Sequence, residues 1–187
     1  MYVTLGASNH SDEIREQNDF YATDPKAVRL LLEREQFSPT VWECACGQGH
    51  LSDELARGGY DVVSSDIIDR GYKKTEIVDF LKYDNPNEMD IITNPPYKYA
   101  LEFIENALRI SKDGTKIAMF LRLSFLEGKA RRKLFDREPP KTIYVFSGRI
   151  TCAKNGRFDL STSTAMAHAW FVWQKGYKGK SIVDWIN

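Results

Sequence analysis

Short apolar runs alternate along the chain with segments whose apolar residues recur at helical spacing. This alternation predicts an α/β fold, with helices near residues 25–36, 50–58, 99–111 and 125–135. The predicted strands are residues 41–44, 61–66, 76–80, 89–93, 116–123, 142–147 and 165–174. Strands joined through a helix pair in parallel, whereas the last two have no clear helix between them and are expected to form an antiparallel hairpin. We therefore expect a seven-stranded, mostly parallel sheet with helices on both faces.

Length and composition indicate one domain over residues 1–187. Of these residues 42% are apolar, which is enough for one hydrophobic core. Residues 1–20 are polar and are expected to form a mobile segment. No apolar run approaches the roughly 18 residues of a membrane span, and the N-terminus lacks the apolar core of a secretion signal. We expect a cytoplasmic protein that does not cross a membrane.

The three cysteines do not favour a disulfide framework. A chain of this size does not need disulfides for stability, and a single residue separates Cys44 from Cys46. We interpret both as small packing residues with reduced thiols, and we expect no metal. His168 lies inside an apolar run and is interpreted as structural.

Charge is unevenly distributed although the net charge is zero. Residues 1–121 carry 13 basic and 21 acidic side chains, whereas residues 122–187 carry 13 basic and 5 acidic ones. An acidic part and a basic part suit a protein that holds a cationic small molecule and a polyanion. The same distribution also fits solvated charge without any partner.

A turn with two glycines follows the first predicted strand in the segment Glu43-Cys44-Ala45-Cys46-Gly47-Gln48-Gly49. In a doubly wound sheet this turn lies at the carboxyl edge, where glycine lets the backbone approach a ligand closely. Ser52 replaces the third glycine of a dinucleotide-binding turn, which disfavours a pyrophosphate ligand. Asp66, 19 residues after Gly47, ends the second strand and could bind ribose hydroxyls. Asp79-Phe80 could meet an adenine edge. The alternatives are an ordinary tight turn for the glycine segment, a helix cap for Asp66 and a plain loop for Asp79-Phe80.

The segment Asn94-Pro95-Pro96-Tyr97, directly after the apolar run MDIIT, is the most specific feature of the chain. Proline lacks a backbone N–H and stiffens the chain, so the motif is a rigid set of hydrogen-bond acceptors. The Asn94 side-chain oxygen and the Pro95 carbonyl could accept both N–H groups of an exocyclic amine and make its lone pair available, while Tyr97 stacks on the base. A proline-rich strand exit with a tyrosine at the edge of the core is the alternative.

With these motifs in this order, the chain resembles S-adenosylmethionine-dependent, adenine-specific (N6) DNA methyltransferases, in particular small enzymes of phages and prophages. The resemblance runs from residues 18–25 (NDFYATDP) through ECACGQG, SSDI, DF and NPPY to AWFVW. It implies the Rossmann-like class I methyltransferase fold, with Asn94, Pro95, Pro96 and Tyr97 as catalytic residues. The cofactor-binding residues that it implies are Tyr21, Thr23, Glu43, Cys44, Ala45, Gly47, Gly49, Asp66, Ile67, Asp79, Phe80 and Asn94.

The implied reaction transfers a methyl group from S-adenosylmethionine to the exocyclic amino nitrogen of adenine in DNA and leaves S-adenosylhomocysteine. Because a stacked base is out of reach, the target would be flipped out or single-stranded. The expected nucleic-acid contacts are Arg122, Lys129, Arg131, Arg132 and Lys133, together with the polar segment 148–164. The family's usual target-recognition domain is not expected in this chain, so a dimer or a partner subunit is an option for selecting the site.

Two alternative functions are consistent with the same sequence motifs. NPPY also occurs in methyltransferases that act on RNA amino groups or on protein glutamine side chains, so the acceptor could be RNA or a protein. A methyltransferase-like subunit that binds the cofactor but needs a partner chain for turnover is the second alternative.

Overall fold

The structure, a computed structural model, describes residues 21–154 and 166–187. The strands in these residues are β1 (Tyr21–Thr23), β2 (Thr40–Glu43), β3 (Asp61–Asp66), β4 (Thr75–Ile77), β5 (Asp90–Thr93), β6 (Lys116–Arg122), β7 (Thr142–Phe146), β8 (Cys152–Lys154), β9 (His168–Gln174) and β10 (Ile182–Ile186). The α-helices are α1 (Lys26–Leu32), α2 (His50–Arg57), α3 (Ala100–Ile110) and α4 (Lys129–Arg137).

Eight strands form one sheet in the order β10-β7-β9-β6-β5-β2-β3-β4. All of them run in one direction except β9, which is antiparallel to its neighbours β6 and β7. The predicted α/β class and mostly parallel sheet are confirmed, but the predicted number of seven strands is wrong. The additional strand, β10, lies at the sheet edge, where Ile182, Val183 and Trp185 are exposed. A search for buried apolar runs therefore misses it.

Several predicted boundaries differ from the observed ones. Residues 76–80 form the short strand β4 and the start of a 3-10 turn, because the Asp79 carboxylate accepts from the Leu81 N–H and caps that turn. Helix α4 begins at Lys129 rather than at residue 125, after a second 3-10 turn at Leu123–Leu126. Strands β7 and β9 pair antiparallel, but β8 lies between them along the chain.

Strands β1 and β8 form a separate two-stranded antiparallel sheet that the sequence patterns did not predict. Tyr21 pairs with Lys154 and Thr23 with Cys152. Three residues per strand are too few for an apolar pattern to indicate a strand, and β8 belongs to the polar segment 148–164. The predicted mobile segment, residues 1–20, lies outside the described residues, as do residues 155–165.

Helices cover both faces of the large sheet, as predicted. The alternation along β6 shows the two faces, because Ile117 and Met119 contribute to the core beneath α3 and α4, whereas Ala118 and Phe120 contribute to the core beneath α1 and α2. The central strands β2, β5, β6 and β9 are thus buried from both sides, which leaves their ends as their accessible parts. None of the helices in the described residues is long and apolar enough to cross a membrane.

Candidate active site

The carboxyl ends of the parallel strands form one edge of the sheet and carry most of the predicted site residues. Strand β2 ends at Glu43, β3 at Asp66 and β5 at Thr93. These strands are neighbours in the order β5-β2-β3, and all three side chains are buried. Open α/β sheets bind their ligands in a crevice outside this edge.

The glycine turn after β2 is folded against the end of β3. The Asp66 Oδ2 accepts from the Gly47 N–H at 2.8 Å, and the Ser65 carbonyl accepts from the Cys46 N–H at 2.9 Å. Gly47 and Gly49 have φ angles of 56° and 83°, a left-handed conformation that glycine adopts without strain. A sugar bound to Asp66 would therefore lie directly against the turn.

Gly49 is poorly able to carry a side chain. A Cβ atom there would lie 2.3 Å from the Tyr72 ring, whose hydroxyl donates to Asp53 at 3.0 Å. We expect Gly49→Ala to lower the free energy of unfolding by about 2 kcal/mol or more, because it adds backbone strain and displaces Tyr72. Gly59→Ala is the matched control, since Gly59 has a φ of 92° and open space around the Cβ position. Chemical denaturation should show a loss of about 1 kcal/mol for the control; equal losses in both variants would contradict a decisive contact with Tyr72.

Glu43 is a buried carboxyl group whose hydrogen-bond donors within the described residues are all neutral. Its Oε1 accepts from the Thr93 hydroxyl at 2.5 Å and from the Ala45 N–H at 3.2 Å. Burial raises the pKa of Glu43 to about 8, and the negative charge of Asp66 acts in the same direction. The group is therefore largely neutral near pH 7 until a cation is placed beside it.

Cys44 and Cys46 are free, buried thiols at the start of the same turn. Burial raises the pKa of Cys44 well above its usual range and that of Cys46 to about 12. Thiols in this state are poor nucleophiles and poor metal ligands near neutral pH. In residues 21–154 and 166–187, no cluster of three or more His, Cys, Asp or Glu side chains is arranged to hold a metal ion.

The residues predicted to hold an adenine ring follow β3 and β4 on this edge. Ile67 is 51% exposed, so its apolar surface is open for packing. Asp79 forms an ion pair with Lys82 at 2.9 Å. Phe80, in contrast, is buried in the core with its ring centre 5.2 Å from that of Trp42. The structure brings Ile67 and Asp79 to the site, whereas the Phe80 ring turns inward with the 3-10 turn that Asp79 caps.

Asn94 has a buried oxygen atom without a partner. Its Nδ2 donates to the Tyr21 carbonyl at 3.1 Å and to the Thr23 hydroxyl at 2.7 Å. Its Oδ1 is buried and has no hydrogen-bond partner in the described structure. Strand β1 thus holds the amide from outside the main sheet and leaves the oxygen to a donor that is not part of the described chain.

The two prolines after Asn94 lead directly into a 3-10 turn, Tyr97–Tyr99. Pro95 is buried, and the Pro96 carbonyl accepts from the Tyr99 N–H at 2.8 Å. The Pro96 carbonyl therefore closes the turn, and the use of the Pro95 carbonyl as a second acceptor for a ligand stays a prediction.

Tyr97 belongs to a cluster of rings and does not stand free. Its hydroxyl oxygen lies 3.1 Å from His168 Nε2, and the Arg122 guanidinium lies 4.4 Å from its ring centre. The Tyr21 ring also stacks on the Tyr97 ring, with the two ring centroids 6.2 Å apart. A base that stacks on Tyr97 would have to use the ring surface that Arg122 does not cover.

His168, which the sequence analysis interprets as structural, lies beside Tyr97. Strand β9 runs antiparallel to β6, and this register places His168 opposite Arg122 at the carboxyl edge. The ring is buried and stacks on Phe120 with centroids 4.9 Å apart. Burial lowers the pKa of His168 to about 4, with further contributions from the charges of Arg122 and Arg149, so the ring is neutral. The predicted antiparallel pairing, with a histidine near the start of the last strand, is the signal that points to this position.

The predicted nucleic-acid contacts on α4 divide into paired and unpaired side chains. Arg132 forms an ion pair with Asp136 at 2.6 Å, and Arg131 donates to a backbone carbonyl one turn earlier. Lys129 and Lys133 are exposed on the same helix. Helix α4 follows the carboxyl end of β6 after one short 3-10 turn.

No protein-family model matches the amino-acid sequence, and no curated protein matches it. The structure, however, is similar to many solved structures. A type I restriction-modification methyltransferase subunit from Streptococcus thermophilus has a TM-score of 0.64 at 16% identity, over 90% of this chain and 48% of that chain. A candidate RNA methyltransferase from Pyrococcus horikoshii has a TM-score of 0.51 at 17% identity, over 73% and 74%. A candidate class I S-adenosylmethionine-dependent methyltransferase from Listeria monocytogenes has a TM-score of 0.55 at 15% identity, over 84% and 62%.

These likenesses show that the chain has the fold of class I S-adenosylmethionine-dependent methyltransferases. At 15 to 17% identity the likeness is one of fold. The chain spans about half the length of the Streptococcus thermophilus subunit.

Proposed function

We propose that the protein is an S-adenosylmethionine-dependent methyltransferase that acts on the exocyclic amino nitrogen of adenine in DNA. The observation that carries this proposal is the buried, unpaired Oδ1 of Asn94, which Tyr21 and Thr23 hold at the carboxyl edge of a methyltransferase fold. A buried acceptor without a donor is costly, so it is expected where a ligand supplies the donor. An exocyclic amino group carries such N–H donors.

The residues around the glycine turn fit S-adenosylmethionine, which carries cationic groups and a ribose. Glu43 is a buried carboxyl group with a raised pKa, and a nearby cation would stabilise its ionised form. Gly49 leaves the turn without a Cβ atom, and Asp66 lies at the position where a ribose would meet the turn. We infer that Glu43, the turn through Gly49, Asp66 and the exposed Ile67 hold the cofactor, with β1 near its methionine end.

Asn94 has the central part in the proposed reaction. When bound, S-adenosylmethionine supplies a methyl group whose C–S bond breaks, with the electron pair left on sulfur, as the new N–C bond forms. The Asn94 Oδ1 accepts an N–H of the target amine, which orients the nitrogen and makes its lone pair available. The same oxygen stabilises the positive charge that develops on the nitrogen until a proton leaves to water. This route relies on positioning and on a preorganised acceptor, and it needs no nucleophilic side chain.

Two observations favour DNA as the carrier of the adenine. The exposed Lys129 and Lys133 lie on the helix that follows β6, a strand that ends at the carboxyl edge of the sheet. The similar Streptococcus thermophilus protein is a methyltransferase subunit of a restriction-modification system. RNA is the main competing acceptor, since the similar Pyrococcus horikoshii protein is named for RNA, and a protein glutamine is the third.

Transfer of a labelled methyl group to unmethylated genomic DNA, total RNA and a cell protein extract in parallel tests the proposal. Nucleoside analysis should find the label in N6-methyladenine from DNA. Label in RNA or protein alone would overturn the substrate while keeping the cofactor. If no acceptor is labelled although calorimetry shows cofactor binding, the chain is instead a subunit that needs a partner for turnover.

Lys129 and Lys133 provide a separate test of the nucleic-acid interface. We expect the double change Lys129→Gln and Lys133→Gln to weaken binding of single-stranded DNA and to reduce the slope of log K against log salt by up to about 1.4, because two phosphate contacts are lost. Arg137→Gln is the matched control, since Arg137 ends the same helix and is paired with Glu105. Equal slopes in wild type and both variants would mean that α4 does not contact the phosphate backbone.

A further inference from the structure

Two arginines approach the ring cluster beside Asn94. Arg122 ends β6, and its Nε is buried without a hydrogen-bond partner in the described structure. Arg149 follows β7 and is exposed. Three residues after Arg149, the Cys152 Sγ lies 3.6 Å from the Tyr97 hydroxyl oxygen and 3.9 Å from His168 Nε2, so the chain at Arg149 passes close to the ring cluster. The positive charges of Arg122 and Arg149 both act to lower the pKa of the buried His168 ring.

Neither arginine forms an ion pair within residues 21–154 and 166–187, although the negative charge of Asp24 acts on Cys152 in the same cluster. The ion pairs found there include those of Arg29, Arg57 and Arg137, but none involves Arg122 or Arg149. His168 adds no further positive charge because its lowered pKa keeps the ring neutral. The contact of Arg122 with the Tyr97 ring offsets part of the cost of burial, but it leaves the Nε–H without an acceptor. An anion with accepting oxygens would satisfy both the charge and the donor.

The position of the arginines selects the kind of anion. Arg122 contacts Tyr97, which follows Asn94 in the same motif, so an anion at Arg122 lies beside any base that enters this site. The group that is both anionic and attached to the base through its own sugar is the phosphate of the same nucleotide. Guanidinium groups bind phosphate oxygens through charge-assisted hydrogen bonds.

We propose that Arg122 and Arg149 form an anion subsite for the phosphate group of the nucleotide whose base enters the Asn94 site. The proposal rests on the proposed function and deepens it. The subsite favours a nucleotide over a nucleoside, and it favours a nucleic acid over a protein glutamine, which carries no phosphate. It also gives the exposed Arg149 a part in substrate selection that the sequence motifs do not indicate.

The test uses the full chain and compares five probes: adenosine, adenosine 5′-monophosphate, adenosine 3′-monophosphate, inorganic phosphate and S-adenosylhomocysteine. Binding is followed by NMR of the arginine Nε–H groups and of the histidine rings. The variants are Arg122→Gln and Arg149→Gln, with Arg137→Gln as the matched control. Because Arg149 is exposed, its replacement leaves the core unchanged.

At least one of the two monophosphates should bind with an affinity at least about tenfold higher than that of adenosine. The gain should disappear in Arg122→Gln and Arg149→Gln and persist in Arg137→Gln, while Arg149→Gln leaves the affinity for adenosine unchanged. Bound phosphate should also raise the pKa of His168, because it offsets the two positive charges. A purely structural role of the arginines would produce neither result.

Equal affinity for adenosine and both monophosphates would overturn the subsite, as would a gain that survives in both arginine variants. Loss of S-adenosylhomocysteine affinity in Arg149→Gln, without an effect on the monophosphates, would assign the arginines to the cofactor carboxylate and also overturn it. If inorganic phosphate shifts the Arg122 resonance but adenosine does not bind, the subsite stands and the proposed base site fails. The two proposals can thus fail separately.

Discussion

Asn94→Ala is expected to reduce methyl transfer by about a thousandfold while affinity for the cofactor is largely retained. The substitution removes the buried Oδ1 that is proposed to accept an N–H of the target amine. Glu43 and Asp66, which are proposed to hold the cofactor, lie on other strands and keep their own hydrogen bonds. Initial rates with labelled S-adenosylmethionine, together with calorimetric titration of the cofactor, measure the two effects separately.

Thr23→Val is the matched control for this experiment. It removes the hydroxyl that accepts from Asn94 Nδ2 but leaves Oδ1 in place, so it weakens the orientation of the amide without removing the proposed acceptor. We expect a loss of about tenfold, which corresponds to one hydrogen bond. If Thr23→Val were as inactive as Asn94→Ala, Asn94 would act by holding β1 and not as the acceptor for the substrate. Activity of Asn94→Ala near the wild-type level would refute the proposed reaction.

Glu43→Gln is expected to make the protein more stable at pH 8 and to abolish cofactor binding. A buried carboxyl group with a pKa of about 8 loses its proton less readily in the folded chain than in the unfolded chain. The free energy of unfolding of the wild type therefore falls as the pH rises from the ordinary glutamate pKa toward 8. Glutamine is not ionised, so the variant should gain several kcal/mol at pH 8 and little below pH 5.

Thermal unfolding at pH 5.5 and pH 8, combined with calorimetry of the cofactor, measures both effects. Glu54→Gln is the matched control, because Glu54 is paired with Arg29 and Arg57 and has a lowered pKa. Its replacement should destabilise the protein at pH 8, opposite in sign to Glu43→Gln. In the wild type, Glu43 has to lose its proton when the cationic cofactor binds. Binding should therefore strengthen as the pH rises toward 8, because a growing fraction of the protein has Glu43 already ionised. A Glu43→Gln variant that binds the cofactor normally would contradict this role.

Most of the large sheet could be predicted because its strands are buried on both faces and appear as short apolar runs between helices. The strands that could not be predicted lack this property. Strand β10 lies at an edge with three of its five side chains exposed, and β1 and β8 have three residues each. The pairing of β1 with β8 joins distant parts of the chain, which local periodicity does not indicate.

The candidate site, too, has residues whose position could be predicted from the sequence and residues whose position could not. The side chains at Glu43, Asp66 and Asn94 could be predicted because each directly follows or ends a strand, so their common edge follows from parallel pairing. The burial of the Phe80 ring depends on the cap that Asp79 provides, a local hydrogen bond that motif spacing does not reveal. The approach of His168 to Tyr97 depends on the register of β9 against β6, which no single segment contains.

The β1–β8 pairing also has a consequence for the order in which the protein folds. Tyr21 and Lys154 are 133 residues apart along the chain, whereas β2, β3 and β5 are joined by much shorter connections. Contacts that close long loops are entropically costly and form after local ones, so the central sheet should assemble before Asn94 acquires its partners on β1. We also expect the small sheet to open more readily than the core, so that hydrogen exchange at its amides is faster than at those of β6. We therefore expect assembly of the core and completion of the candidate site to be separate steps of folding.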